Sequence, residues 1–326
     1  MPGLDRNYYV VDAFSTGPFT GNPAAVVCDA AGLDDDTMRR IAAEFNLSET
    51  TFFLPPKISH SDPEVDLSVR IRWFTPTVEV YMCGHATVAG VHALVESGRL
   101  PTPTSEASCV VRIETKSGVL TAYVEHFPGA SHNRIIWLEL RPPRLEPVRV
   151  DLPGFASALG LLPGDLDAEL PPSTTQDHDL LLFARDISCV NGAQPDFAVL
   201  ARLLRAERCR GLCLATTRTL TPSITVQSRF FAPTVGINED PVTGSVHGPL
   251  AAYLARLVQI PRHDGVSALR CVQGTPGGRA GLLYAIVRET DSGDLVVRVG
   301  GHACTTMIGR LVLSDGLDPS KSSGRA

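Results

Sequence analysis

The chain has 326 residues, 44% of them apolar and 20% charged, enough to bury a sizeable core, and two domains are expected at this length. The net charge is -6 and no Lys/Arg-rich block occurs, so a nucleic acid partner is excluded for want of an electrostatic footprint. No basic leader precedes an apolar stretch and no run of about 18 apolar residues follows, so the expectation is a cytoplasmic protein without a membrane segment.

In chain order, "YYVVDAFS" reads as a strand, and the turn residues of "TGPFTGNPAAVVC" lead into another apolar run. "LDDDTMRRIAAEFN" predicts a helix, because acidic residues at its start favour the positive end of the dipole and Asn46 can stop it. "TTFFLPP" and "VDLSVRIRWFTP" predict two more strands, separated by the polar, Pro-containing loop "KISHSDPEVD" at 57–66. A further helix is predicted from His85 to Ser97 with a stop at Gly98. The small residues Ala86, Ala89, Gly90 and Ala93 let strands come close to it, so it is expected deep inside a sheet. The eight cysteines are scattered, mostly within apolar runs, and are read as buried thiols. Cys209 and Cys213 lack the spacing and the partner ligands of a zinc site, so no metal is expected.

Later the chain resembles itself. "SRFFAPTVGINEDPVTGSVHGPLAAYLARL" follows the same order as "IRWFTPTVEVYMCGHATVAGVHALVESGRL": an aromatic residue, Pro-Thr-Val, an acidic link, a glycine and a small-residue helix. Phe74 and Pro76 match Phe231 and Pro233, and Gly84 matches Gly244 with three extra residues in the second link. The shared order of five features predicts a duplicated domain. The halves are expected at 1–130 and 131–316, the last strand being free to cross back to the first half, with a disordered tail over 317–326.

A helix start exposes unpaired N–H groups and about half a positive charge, so it binds an anion without Lys or Arg. Gly84 and Gly244 let a ligand approach the backbone, and Thr243 and Ser245 add hydroxyls at the second start. Two facing starts suit a small carboxylate. Groups able to move protons stand nearby in sequence: Glu49, His85, Glu239 and Asp240. No dinucleotide or phosphate-loop fingerprint accompanies them, so acid–base work by side chains alone is expected, with no cofactor. The apolar neighbours Phe45, Leu47, Phe52 and Phe53 are expected to raise the pKa of Glu49 by desolvation. Each residue also has an ordinary reading: Glu49 as an exposed turn carboxylate, His85 as a cap or core polar group, Asp240 as a turn residue before Pro241, and Cys83 as a buried thiol. His92 and His247 are assigned to packing.

"FSTGPFTGNPAAVV", "NLSETTFF", "FTPTVEVYMCGHATVAG" and "RFFAPTVGINEDPVTGS" together resemble the PhzF-like family, named for the phenazine-biosynthesis isomerase, within the diaminopimelate epimerase fold superfamily. The likeness runs from the first strand through "VRVGGHACTTMIGRL". It implies an α+β fold of two pseudo-symmetric domains, each a β-sheet curled around a central α-helix, with the active site between them. It further implies no metal or organic cofactor, a homodimer, and a small-molecule carboxylate as the partner. By the same resemblance Glu49 is the catalytic carboxyl, with His85 and Asp240 beside it. Ser48, Gly84, Gly244 and Ser245 are substrate-binding residues, to which Thr243 is added from its place at the second helix start. In the phenazine enzyme the reaction is a proton shift on trans-2,3-dihydro-3-hydroxyanthranilate followed by tautomerisation. Tyr81 and Met82, where the family often has Pro-Phe, together with Asn238 and Val246, depart from the pattern beside the cleft and leave the substrate open. A lyase or pericyclic cyclase, or a non-catalytic binding homologue, stays as the alternative. A two-thiol racemase is disfavoured because "EDPVTGS" offers no partner for Cys83.

Overall fold

Short β-rich runs broken by Gly, Pro and Asn make strands the commonest regular element, and the computed structural model describes residues 6–57, 62–129, 133–258, 260–275, 277–290 and 292–313. The order begins β1 (Arg6–Ala13), β2 (Asn22–Val27), α1 (Asp35–Phe45), β3 (Thr50–Leu54), β4 (Leu67–Phe74), β5 (Glu79–Val80), α2 (Gly84–Glu96), β6 (Cys109–Thr115), β7 (Gly118–His126), β8 (Arg134–Leu140) and β9 (Leu145–Pro147). It continues with α3 (Leu152–Ala158), β10 (Ser173–Thr175), β11 (Asp179–Phe183), α4 (Ile187–Gly192), α5 (Phe197–Ala206), β12 (Gly211–Thr216), β13 (Val226–Ala232), β14 (Ile237–Asp240), α6 (Gly244–Leu257), β15 (Arg262–His263), β16 (Val266–Gly274), β17 (Ala280–Glu289), β18 (Leu295–Gly301) and β19 (Ala303–Leu311). Part of the loop expected over 57–66, residues 58–61, lies outside the described residues, as does the tail 317–326. No helix among the described residues is long and apolar enough to cross a membrane.

The helix expected before Asn46 is α1. Asp34 caps it by accepting from the Thr37 N–H at 2.8 Å, and Asn46 ends it in the left-handed region at φ 50°. The helix expected from His85 is α2, which starts one residue earlier and is followed by Gly98 at φ +70°. Every residue from His85 to Val95 is buried, so this helix has no solvent face and forms the axis of a sheet. Gly90 is needed there: a Cβ would stand 2.9 Å from the Phe53 ring.

The two halves repeat one another strand by strand. β2 and β3 are parallel, β4 runs antiparallel to β3 and β5, and β6 lies parallel to β4. Likewise β11 and β12 are parallel, β13 runs antiparallel to β12 and β14, and β16 lies parallel to β13. The register equates Thr50, opposite Phe74, with Leu212, opposite Phe231. On the same alignment Arg72 holds Glu79 through two hydrogen bonds and lies over Phe74, while Arg229 holds Glu239 in the same way and lies over Phe231. The fold is the diaminopimelate epimerase-like pair, with α2 packed on β1, β2, β3, β8 and β19, and α6 on β16, β17 and β18.

The halves trade their last strands. β19 returns to pair with β1, and β9 passes the other way to pair with β10. Between them β8 and β18 join antiparallel and close the sheet across the molecule. β8 also bonds to β7 and packs on α2, and β9 follows β8 as β19 follows β18, so we place β8 and β9 with the first half and its end after Pro147 rather than at residue 130.

Phe14 fastens this joint. It is fully buried, holds φ at 56°, and its carbonyl accepts from the Leu282 N–H at 2.9 Å. Its ring occupies space that only glycines leave free: a Cβ on Gly301 would lie 2.6 Å from it, and one on Gly244 3.0 Å. Phe14→Ala is expected to lower unfolding stability by about 3–5 kcal/mol, measured by urea denaturation.

Candidate active site

Glu49 stands at the end of the loop from α1 into β3, His85 in the first turn of α2, and Asp240 at the end of β14. These distant segments converge on one cleft, lined also by Met82, Cys83, Gly84, Arg210, Thr243, Gly244 and Ser245, with an apolar wall of Phe230, Ala232, Val235 and Ile237. The cleft volume is about 90 Å³. Wider hollows near Arg6 and Arg99 (about 310 Å³) and near Pro55 and Leu67 (about 410 Å³) bring no facing helix starts together.

The starts of α2 and α6 abut in this cleft. A Cβ on Gly84 would lie 3.7 Å from both the Gly244 Cα and the Ser245 N. Neither helix has a side-chain N-cap, since Cys83 and Thr243 make no capping bond, so the first-turn N–H groups there lack the usual partner.

His85 is buried and central. Its Nε2 lies 3.3 Å from Glu49 Oε2 and 3.4 Å from Ser48 Oγ, and its Nδ1 lies 3.5 Å from Cys83 Sγ. The Glu49–His85 approach lacks hydrogen-bond alignment and is an ion pair only when His85 carries a proton, and Glu49 Oε2 is buried with no hydrogen-bond partner. An unsatisfied carboxylate oxygen is costly unless something arrives to use it. Ser48 therefore reaches the site through His85; it is not among the cleft-lining residues.

Asp240 is held from both sides. Asn22 Nδ2 donates to Oδ1 at 2.8 Å and Thr243 Oγ1 donates to Oδ2 at 2.5 Å, while Gln273 Nε2 donates to the Asp240 carbonyl at 2.7 Å. Burial pushes the Asp240 carboxyl above its ordinary value, and the nearby Glu49 adds to this against the opposing effects of His85, Thr243 and Asn22. The Thr243 hydroxyl, expected as a ligand donor, is thus committed to Asp240, and the Thr243 N–H is taken by Gln273 Oε1 at 3.0 Å. Glu239, adjacent in sequence, turns away to Arg229.

Burial pushes the Cys83 thiol well above its ordinary value, with Glu49 and Asp240 reinforcing the shift. A thiol so held stays protonated, which works against a thiolate nucleophile. The donor atoms of Glu49, Cys83 and His85 do lie within 4.8 Å of one another. The residue matching Cys83 in the second half is Thr243, so no second thiol faces it.

Sequence reading missed Asn22, Gln273 and Arg210. Asn22 lies within the motif "FSTGPFTGNPAAVV", whereas Arg210 shares no residue type with its counterpart Ser48 and becomes visible only through strand register.

A family model described as phenazine biosynthesis-like protein matches residues 11–309. An uncharacterized isomerase of Pseudomonas aeruginosa is 37% identical over 310 residues, covering 95% of this chain and 100% of its own. The crystal structure of a Bacillus anthracis phenazine biosynthesis protein of the PhzF family superposes with a TM-score of 0.82 at 26% identity, covering 95% of this chain and 99% of its own. A hydroxyproline epimerase of Agrobacterium vitis, 14% identical with a TM-score of 0.57 over 96% of this chain and 94% of its own, shares the fold.

His247 stands one turn into α6, fully buried, its Nδ1 2.8 Å from the Thr243 carbonyl and its Nε2 3.2 Å from Ser228 Oγ. Burial lowers its pKa to about 4. Below pH ~6.5 the unfolded chain takes up a proton that the folded chain refuses until about pH 4, so stability is complete above this window and falls as pH drops through it. The loss is expected to be on the order of 3 kcal/mol. Urea midpoints measured from pH 7 to pH 4 should show that decline in the native chain and a shallower one in His247→Gln.

Proposed function

The chain belongs to the phenazine biosynthesis-like family, and from that premise we propose that it is an isomerase which shifts a proton along a small, unsaturated, carboxylate-bearing metabolite by side-chain acid–base chemistry without a cofactor. The observation that carries this reading is the buried, unbonded Glu49 Oε2 beside His85, at the point where the starts of α2 and α6 meet.

In this reading the substrate carboxylate rests against the N–H groups at Gly84 and Gly244, with the Ser245 hydroxyl beside it, where the two helix dipoles favour negative charge. Glu49 takes a proton from a carbon made acidic by the neighbouring double bond. As the double bond moves, Glu49 returns the proton to the other end of the allylic system, so the atoms balance with no other reactant. His85, fixed between Glu49 on one side and Cys83 on the other, stabilises charge on Glu49 and on the ligand. Asp240, its acidity weakened by burial, orients the substrate's hydroxyl or amino group as donor or acceptor. Ser48 and Thr243 act one step back, through His85 and Asp240 respectively.

Incubation of the purified protein with small unsaturated amino and hydroxy acids in deuterated water should place solvent deuterium on substrate carbon. Glu49→Gln is expected to slow that exchange by about 10²–10⁴-fold with an unchanged circular dichroism spectrum. Full exchange by the Gln variant would remove Glu49 from the reaction.

A further inference from the structure

The internal repeat equates Glu49 with Gly211 and Ser48 with Arg210, since Thr50 and Leu212 hold the same register position. A side chain at Gly211 has no room: its Cβ would lie 2.6 Å from the Phe230 ring and 2.9 Å from the Phe231 carbonyl oxygen. The second half therefore cannot mirror the proton carrier. It sends Arg210 into the cleft instead, and Arg210 is the one arginine or lysine among the cleft-lining residues.

Arg210 is held in place before any ligand arrives. Its Nε and Nη2 donate to the two oxygens of Asp179 at 3.0 and 2.7 Å, and Asp179 is fully buried. Its backbone is tied as well, the N–H donating to the His178 carbonyl at 2.6 Å and the carbonyl accepting from Thr234 Oγ1. Two of the five guanidinium hydrogens are used in this way. Those on Nη1 and the second on Nη2 have no partner among the described residues, and the side chain keeps 39% of its surface exposed. That outer edge is a planar fork of parallel N–H groups, which matches the paired oxygens of a carboxylate, as it would those of a phosphate. With Asp179 neutralising the charge, the fork acts by direction more than by net attraction. Pairing with Asp179 explains why Arg210 is rigid. Neither this pair nor the approach of the guanidinium to the Phe230 ring, 5.8 Å away, accounts for Arg210 among the residues that line the cleft.

We propose that Arg210 reads a second carboxylate on the substrate, so that the substrate class is an unsaturated dicarboxylate gripped at one end by the helix starts and at the other by this fork. This rests on the acid–base reading of the same cleft. A matched pair of probes tests it: crotonate, and trans-glutaconate, which is crotonate with a second carboxylate on its methyl carbon. Calorimetric titration of the native chain should show trans-glutaconate binding about 10- to 100-fold more tightly than crotonate, the range expected for a charged hydrogen-bonded contact. The double variant Arg210→Met with Asp179→Asn leaves no orphaned buried carboxylate, and it should bring trans-glutaconate down to the crotonate level while leaving crotonate binding unchanged. Arg210→Lys should keep part of the preference. Equal binding of the two probes by the native chain, no binding of trans-glutaconate at millimolar concentration, or equal weakening of both probes in the double variant overturns the assignment. A proton shift on trans-glutaconate regenerates the same molecule, so deuterium entry at its C2 and C4 reports the chemistry separately. A strong dicarboxylate preference without exchange sinks the isomerase reading and leaves Arg210 in its role.

Discussion

Two helices begin against each other at Gly84 and Gly244, and the positive ends of their dipoles are pressed together in the joint between the halves. Such an arrangement is unfavourable unless negative charge stands close by. Two carboxyls do, Glu49 and Asp240, and a carboxylate ligand would complete the compensation. A Cβ on Gly84 would just touch the start of α6 at 3.7 Å, whereas one on Gly244 would crowd the Phe14 ring at 3.0 Å. The joint thus fixes the cleft's geometry and its preference for anions at once.

A duplicated scaffold with unlike contents lets the two halves divide the work. The ion pairs Arg72–Glu79 and Arg229–Glu239 sit in matching places in both halves and brace the strand turns that lead into α2 and α6. At the cleft the matching positions differ: His85 against Ser245, Cys83 against Thr243, Glu49 against Gly211, Val80 against Asp240. The first half carries the imidazole, the thiol and the unbonded carboxyl. The second carries hydroxyls, a hydrogen-bonded acid and a guanidinium. Racemases built on a symmetric pair of thiols need the same group on both faces, and this cleft does not provide it.

Exchange of β19 and β9 makes each half depend on the other for a strand, and β8 with β18 ties them directly. Relative movement of the halves is therefore limited by shared sheet edges, which suits a site whose groups must hold position to within a fraction of an ångström. The rigid footing of Arg210 on Asp179 and of Asp240 on Asn22 and Thr243 belongs to the same economy of motion.

Much of this was legible in the chain itself. The recurrence of Phe-x-Pro-Thr-Val, acidic link, glycine and small-residue helix announces the duplication, and the small residues Ala86, Ala89, Gly90 and Ala93 announce a helix deep inside a sheet, because both are local patterns carried by nearby residues. The candidate residues Glu49, His85 and Asp240 were legible for the same reason, each lying inside a short motif. What only the tertiary structure decided are pairings between distant segments. Glu239 looks as acidic as Asp240 in the sequence, yet strand alternation turns one to Arg229 and the other to the cleft. Thr243 stands at the second helix start in the sequence, and the structure adds that its hydroxyl donates to Asp240 and its N–H to Gln273. Arg210 becomes a cleft residue only when β12 is laid beside β13 in register, since orientation across a sheet is set by hydrogen-bonded neighbours far away in the chain.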